Sequence, residues 1–283
     1  MGIRAVRKRD RRVQTSGTVF VTRLRSTGPW VAAVVALMAL IVLTRGTPSD
    51  SPRFTDLQGG LIDQLSPAFP NGAFTDEVTA AIEVFGLPVE SFEGDAVDVN
   101  LYRSLGESNY GVLVIRSHSG ILELEGGAQQ GVTALFTNEP YSERKYVGEQ
   151  LGDRLLIVRP FESDPKLTFG VTPNFVRQSM DGYLPRTIVV VAGCSVLGRT
   201  DLAEALVSRG ASAVISWDRS VGLAYADEAT ARFVTHLCAE GMTMDEAVVA
   251  TMVEMGPDPD YGAVLRYYPA SVSQRTAAEL LRQ

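Results

Sequence analysis

Residues 187–198, TIVVVAGCSVLG, place the unbroken apolar run Ile188 to Ala192 directly before Gly193, Cys194 and Ser195. A strand with one wet face alternates apolar and polar residues. A continuous β-branched run closed by a glycine reads instead as a strand buried on both faces of a parallel sheet. GVLVIRSHSG (111–120) follows the same pattern, and SAVISWD (212–218) predicts a further strand. Between the last two runs, TDLAEALVSRG (200–210) predicts a helix, with Thr200 as cap, Leu202, Ala205 and Leu206 on its apolar face, and Gly210 at its end.

Outward from this centre the alternation continues. GLIDQL (60–65) and PVESFEG (88–94) predict strands, and FTDEVTAAIEVFG (74–86) between them predicts a helix capped by Thr75. VDVNLYRSL (97–105) is a short amphipathic segment, and Thr172-Pro173 starts a helix over PNFVRQSM. Downstream, ADEATARFVTHLCAEG (226–241) predicts a helix with Phe233, Val234 and Leu237 inward and His236 off the apolar stripe, at the surface. TMDEAVVATMVEMG (243–256) opens on the capping box Thr243-x-x-Glu246, AVLRYYP (263–269) is a last edge strand, and AAELLRQ a terminal helix. Residues 121–172 hold three strand-like stretches and read as an insertion, partly a hairpin, over the sheet edge. Strands alternating with helices predict an α/β sandwich with a mostly parallel sheet.

Charge divides the chain. Eight of its 26 basic residues and only Asp10 of its 33 acidic ones precede residue 45, which leaves 18 against 32, or −14, for the remainder. An acidic globular part repels phosphate backbones, so nucleic acid is excluded as its partner. STGPWVAAVVALMALIVLT, between Arg25 and Arg45, carries no charge and is just long enough as a helix to cross a bilayer. The expected organisation is a basic cytoplasmic arm (1–26), a transmembrane signal anchor (27–45), a polar linker (46–57) and an α/β domain (58–283) outside the cytoplasm. A cleaved signal peptide is the rival reading, but no small-x-small cleavage site follows the apolar run. A buried core helix is a third, against which the basic flank argues.

In an open parallel sheet, functional side chains gather beyond the carboxyl ends of the strands. His118 and Cys194 both stand there, 76 residues apart, and on neighbouring strands they would emerge at one edge. A thiolate attacks carbonyls, and an imidazole can activate it and protonate the leaving amine. Gly120 and Gly193 would let backbone N–H groups approach an oxyanion. The plainer readings are a hydrogen-bonded histidine and a packed thiol. Cys238, in a helical pattern, reads as buried. Two cysteines outside the cytoplasm could also pair. The two Cys and two His lack zinc-ligand spacing, and AGCSVLGRTD has neither the Walker lysine nor GxGxxG, so no metal or other cofactor is expected.

An apolar strand ending in His-Ser-Gly, followed by another ending in Gly-Cys, resembles the caspase-like clan of cysteine peptidases. That clan includes caspases, legumains, gingipains, separases and bacterial CHAT-type domains. GCSVLGRTDLAEALVSRGASAVISWDRSV, with FVTHLCAEGMTMDEAV after it, is similar to the CHAT pattern of cysteine strand, helix, Gly-Ala strand, Trp-Asp and helices. Ala-Gly-Cys stands where CHAT-type domains more often have Ser-Ala-Cys. The resemblance implies a caspase-like three-layer sandwich and a membrane-anchored cysteine endopeptidase acting on a protein or peptide substrate. It assigns His118 and Cys194 as the dyad and the backbone amides of Gly120 and Cys194 as the oxyanion hole. Trp217 and Asp218 would border the pocket for the side chain preceding the scissile bond, Asp218 favouring Arg or Lys. Glu139 or Asp181 could serve in its place, and Asp218 reads equally as a loop carboxylate paired with Arg219 or Arg199. A catalytically inactive caspase-like sensor or binding module is the alternative function, and a flavodoxin-like cofactor binder a third.

Overall fold

A computed structural model describes residues 54–122, 131–160 and 166–282. The expected basic arm, the transmembrane segment 27–45 and most of the linker lie outside the described residues. Among the described residues no helix is long and apolar enough to cross a membrane.

The strands are β1 (Gln58–Asp63), β2 (Val89–Glu93), β3 (Tyr110–Arg116), β4 (Ser119–Leu122), β5 (Val132–Pro140), β6 (Leu155–Val158), β7 (Thr168–Val171), β8 (Ile188–Ala192), β9 (Ala213–Trp217) and β10 (Leu265–Tyr268). The helices are α1 (Gly72–Val84), α2 (Val99–Ser104), α3 (Val147–Leu151), α4 (Pro173–Gln178), α5 (Asp201–Ser208), α6 (Leu223–Val234), α7 (Met244–Met255) and α8 (Ala277–Leu280). Six strands form one sheet in the order β10-β9-β8-β3-β1-β2, parallel except for β10 at its edge. Every residue of β3, β8 and β9 is buried, as their unbroken apolar runs require.

Side chains alternate across this sheet. Val112 and Val114 of β3 join Ile82, Phe233 and Val248 from α1, α6 and α7 on one face. Leu113 and Ile115 join Phe175, Leu202 and Leu206 from α4 and α5, with Leu135 and Phe169 from β5 and β7, on the other. The fold is therefore α/β, with a mostly parallel mixed sheet covered on both sides.

Local signals account for several boundaries. Thr172 accepts the Phe175 N–H at the start of α4, and Thr243 and Glu246 close the capping box of α7. Thr75, expected as a cap, lies inside α1, whose N-cap is Asn71. Thr200 stands at the N-cap of α5, but its hydroxyl donates to Glu204 Oε1 instead of accepting an N–H. Phe54 and Leu57, assigned to the linker, are buried in the core, with Phe54 stacked on Phe85. The stretch read as an insertion forms a sheet of its own, antiparallel throughout, in the order β4-β5-β7-β6. His236, expected at the surface, is buried. A π-helical turn, Thr235–Ala239, follows α6 and carries its ring between Glu240 and Glu254.

A buried ion cluster ties the carboxyl edge of the large sheet together. The Arg116 side chain is almost fully buried, with Nε and Nη2 donating to Asp227 of α6 and Nη1 to Asp63 at the end of β1. Asn71 donates to the same Asp227, and the guanidinium lies over the Phe74 ring. Arg116→Met leaves two buried carboxylates unpaired, and urea unfolding is expected to show a loss of about 3–5 kcal/mol. Replacing Asp63, Arg116 and Asp227 together with apolar residues of similar volume is expected to restore most of it.

Candidate active site

β3 and β8 end level with one another: Arg116 pairs with Ala192 in the ladder, and the Ser117 N–H donates to the Ala192 carbonyl. His118 and Cys194 follow two residues beyond that pair, at the same edge. The two segments touch, since the Ser119 hydroxyl donates to the Cys194 carbonyl at 2.8 Å. Only glycine allows this approach at position 193. A Cβ there would stand 2.5 Å from Ser119 Oγ and 2.6 Å from the Ser117 carbonyl oxygen.

The histidine is held from the side of β1. Its backbone N–H donates to Gln64 Oε1 at 2.9 Å, and its carbonyl accepts from Phe136 N at 3.0 Å. Gln64 Nε2 donates to Asn138 Oδ1, and Asn138 Nδ2 donates back to the Gln64 carbonyl and to Gly94. This pair of amides links the end of β1 to β5. Motif reading passed over both, since an amide in an apolar stretch carries no pattern. Burial pushes the His118 imidazole below its ordinary pKa, and the positive charge of Arg116 adds to the effect.

Cys194 is half-buried, its Sγ 3.8 Å from the Val221 carbonyl, and it packs against the α6–α7 side of the core. Ser195 has φ +59, a left-handed conformation that non-glycine residues seldom adopt, and its N–H donates to the Arg219 carbonyl. Leu197 N–H donates to the Trp217 carbonyl, so the loop after β8 is fastened to the end of β9. Both cysteines are free, so the disulfide alternative is not realised. Cys238 is fully packed, and burial pushes its thiol up to about 12.

The remaining expected residues lie in other settings. Gly120 faces Ala134 in the β4–β5 ladder. With Phe136 N bonded to His118 O two residues along, Gly120 belongs to a hydrogen-bonded pair, and its N–H is directed across at Ala134. Trp217 is wholly buried, edge-on to Tyr225, and offers no surface to a pocket. Asp218 accepts the Val264 N–H and faces Arg219 and Arg266, not Arg199, which is the loop-carboxylate arrangement. Glu139 is engaged by Lys145, Tyr146 and the Val99 N–H, while Asp181 is exposed. Among the described residues no three His, Cys, Asp or Glu side chains are grouped to hold a metal. No protein-family model matches the chain, and no curated protein matches its sequence.

Iodoacetamide at pH 8 is expected to alkylate Cys194 and spare Cys238 in the folded chain, as peptide mass mapping would show, because only the thiolate reacts. Gly193→Ala is expected to lower stability by about 1–3 kcal/mol in a thermal melt, since the Ser117 carbonyl is backbone and cannot yield without shifting its loop. The depressed His118 pKa has a definite sign for stability. As pH falls below about 6.5 the unfolded chain takes up this proton before the folded one, so the folded state loses stability until the folded pKa is passed. His118→Gln is expected to flatten that part of the stability–pH curve between about pH 7.5 and 5 relative to the wild-type chain.

Proposed function

We propose that the protein is a cysteine endopeptidase of the caspase-like type, with residues 27–45 as its membrane anchor. The observation that carries the reading is the emergence of His118 and Cys194 from adjacent, level-ended parallel strands, their segments joined by the Ser119–Cys194 hydrogen bond. A nucleophile and its base must first share such an edge before their side chains can meet. The strongly apolar strands on which both residues stand agree with the resemblance drawn from the sequence.

In the proposed reaction His118, kept neutral by its surroundings, takes the thiol proton and Cys194 Sγ attacks the peptide carbonyl carbon. The C–N bond breaks as the imidazolium returns the proton to the departing amine, leaving a thioester. Water, deprotonated by His118, then attacks the thioester carbonyl. The acid is released and the thiol recovers its proton. The Cys194 N–H would face the developing oxyanion.

A peptidyl acyloxymethyl ketone tests the reading on the full chain. The expected result is one adduct on Cys194, absent in Cys194→Ala and formed about 10²–10⁴-fold more slowly in His118→Ala. Equal labelling of wild-type and Cys194→Ala, which retains Cys238 alone, would overturn it. If the enzyme turns over, the acid limb of its kcat/KM profile is expected below the ordinary histidine value of about 6.5.

A catalytically idle binding module is the second reading, and two observations favour it. The Cys194 thiol is turned toward the Val221 carbonyl, and the Gly120 N–H is directed at Ala134. In that case iodoacetamide alkylates Cys194 while the peptidyl electrophile does not.

A further inference from the structure

The Cys194 thiol and a buried acid hold the two ends of one peptide group. Cys194 Sγ donates to the Val221 carbonyl at 3.8 Å. The N–H of the same amide, that of Gly222, donates to Asp258 Oδ2 at 3.2 Å. Asp258 follows α7 and is almost fully buried, and the same oxygen accepts the Tyr261 N–H at 3.1 Å. Its other oxygen, Oδ1, is enclosed and has no hydrogen-bond partner among the described residues.

We propose that Asp258 is a positioning residue for Cys194: through the Val221–Gly222 amide it sets the resting orientation of the thiol and restrains its release. The proposal rests on the peptidase reading and adds a control on the same nucleophile.

A buried carboxylate with one idle oxygen costs stability, so packing alone does not account for an acid here. What the acid does is fix an amide. A charged acceptor on the N–H polarises the peptide group and makes its carbonyl the stronger acceptor at the other end. That carbonyl accepts only from a protonated sulfur, because a thiolate has no hydrogen to give it. The contact therefore belongs to the resting thiol, and a sulfur that has passed its proton to His118 must leave it. The amide cannot follow. Gly222 is the N-cap of α6, and its carbonyl accepts the Ala226 N–H. Asp258 is fixed in turn, its N–H donating to the Ala263 carbonyl and its own carbonyl accepting from Gly262. Only the tip of this loop, Pro259 to Gly262, is exposed.

The test follows iodoacetamide labelling of the full chain by peptide mass mapping, with the packed Cys238 as an internal gauge of folding. Asp258→Ala removes the acceptor from the Gly222 N–H. Gly222→Pro removes the donor and leaves the acid in place, at a φ of −65 that suits a proline ring. In both variants Cys194 is expected to be alkylated about three- to tenfold faster than in the wild-type chain, with Cys238 still protected. With the peptidyl acyloxymethyl ketone, the maximal inactivation rate is expected to rise while the half-saturating concentration stays unchanged, a split that loosened packing would not produce. An unchanged Cys194 rate in either variant, with Cys238 protected, overturns the proposal. So does labelling of Cys238 in step with Cys194 in both, since the residue then serves the fold alone. The ketone arm judges the peptidase reading separately: if no form of the chain takes up the ketone, that reading fails, whereas the iodoacetamide rates still decide whether Asp258 holds the thiol.

Discussion

The buried guanidinium of Arg116 fixes the edge on which everything else stands. It is the last residue of β3, two positions before His118, and its partners belong to β1 and α6, with the N-cap of α1 joined through Asn71. Burial works against its charge, but Asp227 and Asp63 outweigh burial and hold its pKa up. Asp63 shows the opposite balance, with its carboxyl raised by burial in spite of the arginine. A cluster with that profile contributes little net stability, because desolvation consumes most of the attraction. What it supplies is position: three elements must meet in one geometry or leave a charge unpaired. The same positive charge helps keep the neighbouring imidazole neutral.

Much of the large sheet was legible in the sequence because burial on both faces leaves a plain mark. The runs at 111–116, 188–192 and 213–217 have no polar alternation, and all three are interior strands. The second sheet was not legible. β6 and β7 have four residues each, and nothing within them says whether they pair with each other, with β5 or with the main sheet. Pairing is a property of the assembled chain, and short strands carry too little pattern to encode it. His236 failed for a different reason. A stripe argument assumes 3.6 residues per turn, and the π-helical turn at Thr235–Ala239 breaks that period where the histidine sits.

The site divides in the same way. The positions of His118 and Cys194 beyond strand ends could be anticipated, because apolar runs mark where strands stop. Residues that act through loops could not. Gln64 reaches the His118 backbone from the next strand over, and Asn138 reaches Gln64 from the other sheet. Trp217 ends its strand on the side of Val221, Ala226 and Phe233, so alternation alone sends the indole into the core. Asp218, the next residue, turns out toward Arg219 and Arg266 and caps the Val264 N–H. An acid after a strand looks the same in sequence whether it binds a ligand or closes a loop.

The two functional readings differ in how much of this edge has to move. On the β8 side little can, because Gly193 sits hard against the Ser117 and Ser119 loop and the Cys194 carbonyl is already engaged. On the β4 side the strand is four residues long, and among the described residues it pairs only with β5. An oxyanion site needs the Gly120 N–H turned away from Ala134. Releasing one such ladder bond costs about 0.5–1.5 kcal/mol, which a bound peptide readily exceeds. The thiol would have to leave the Val221 carbonyl. An idle module would require neither change, while the glycine at 193 is needed by the packing of the two loops in either case. A Cβ at that position would push apart the two segments that carry the histidine and the thiol, so the requirement for glycine is tied to keeping those residues together.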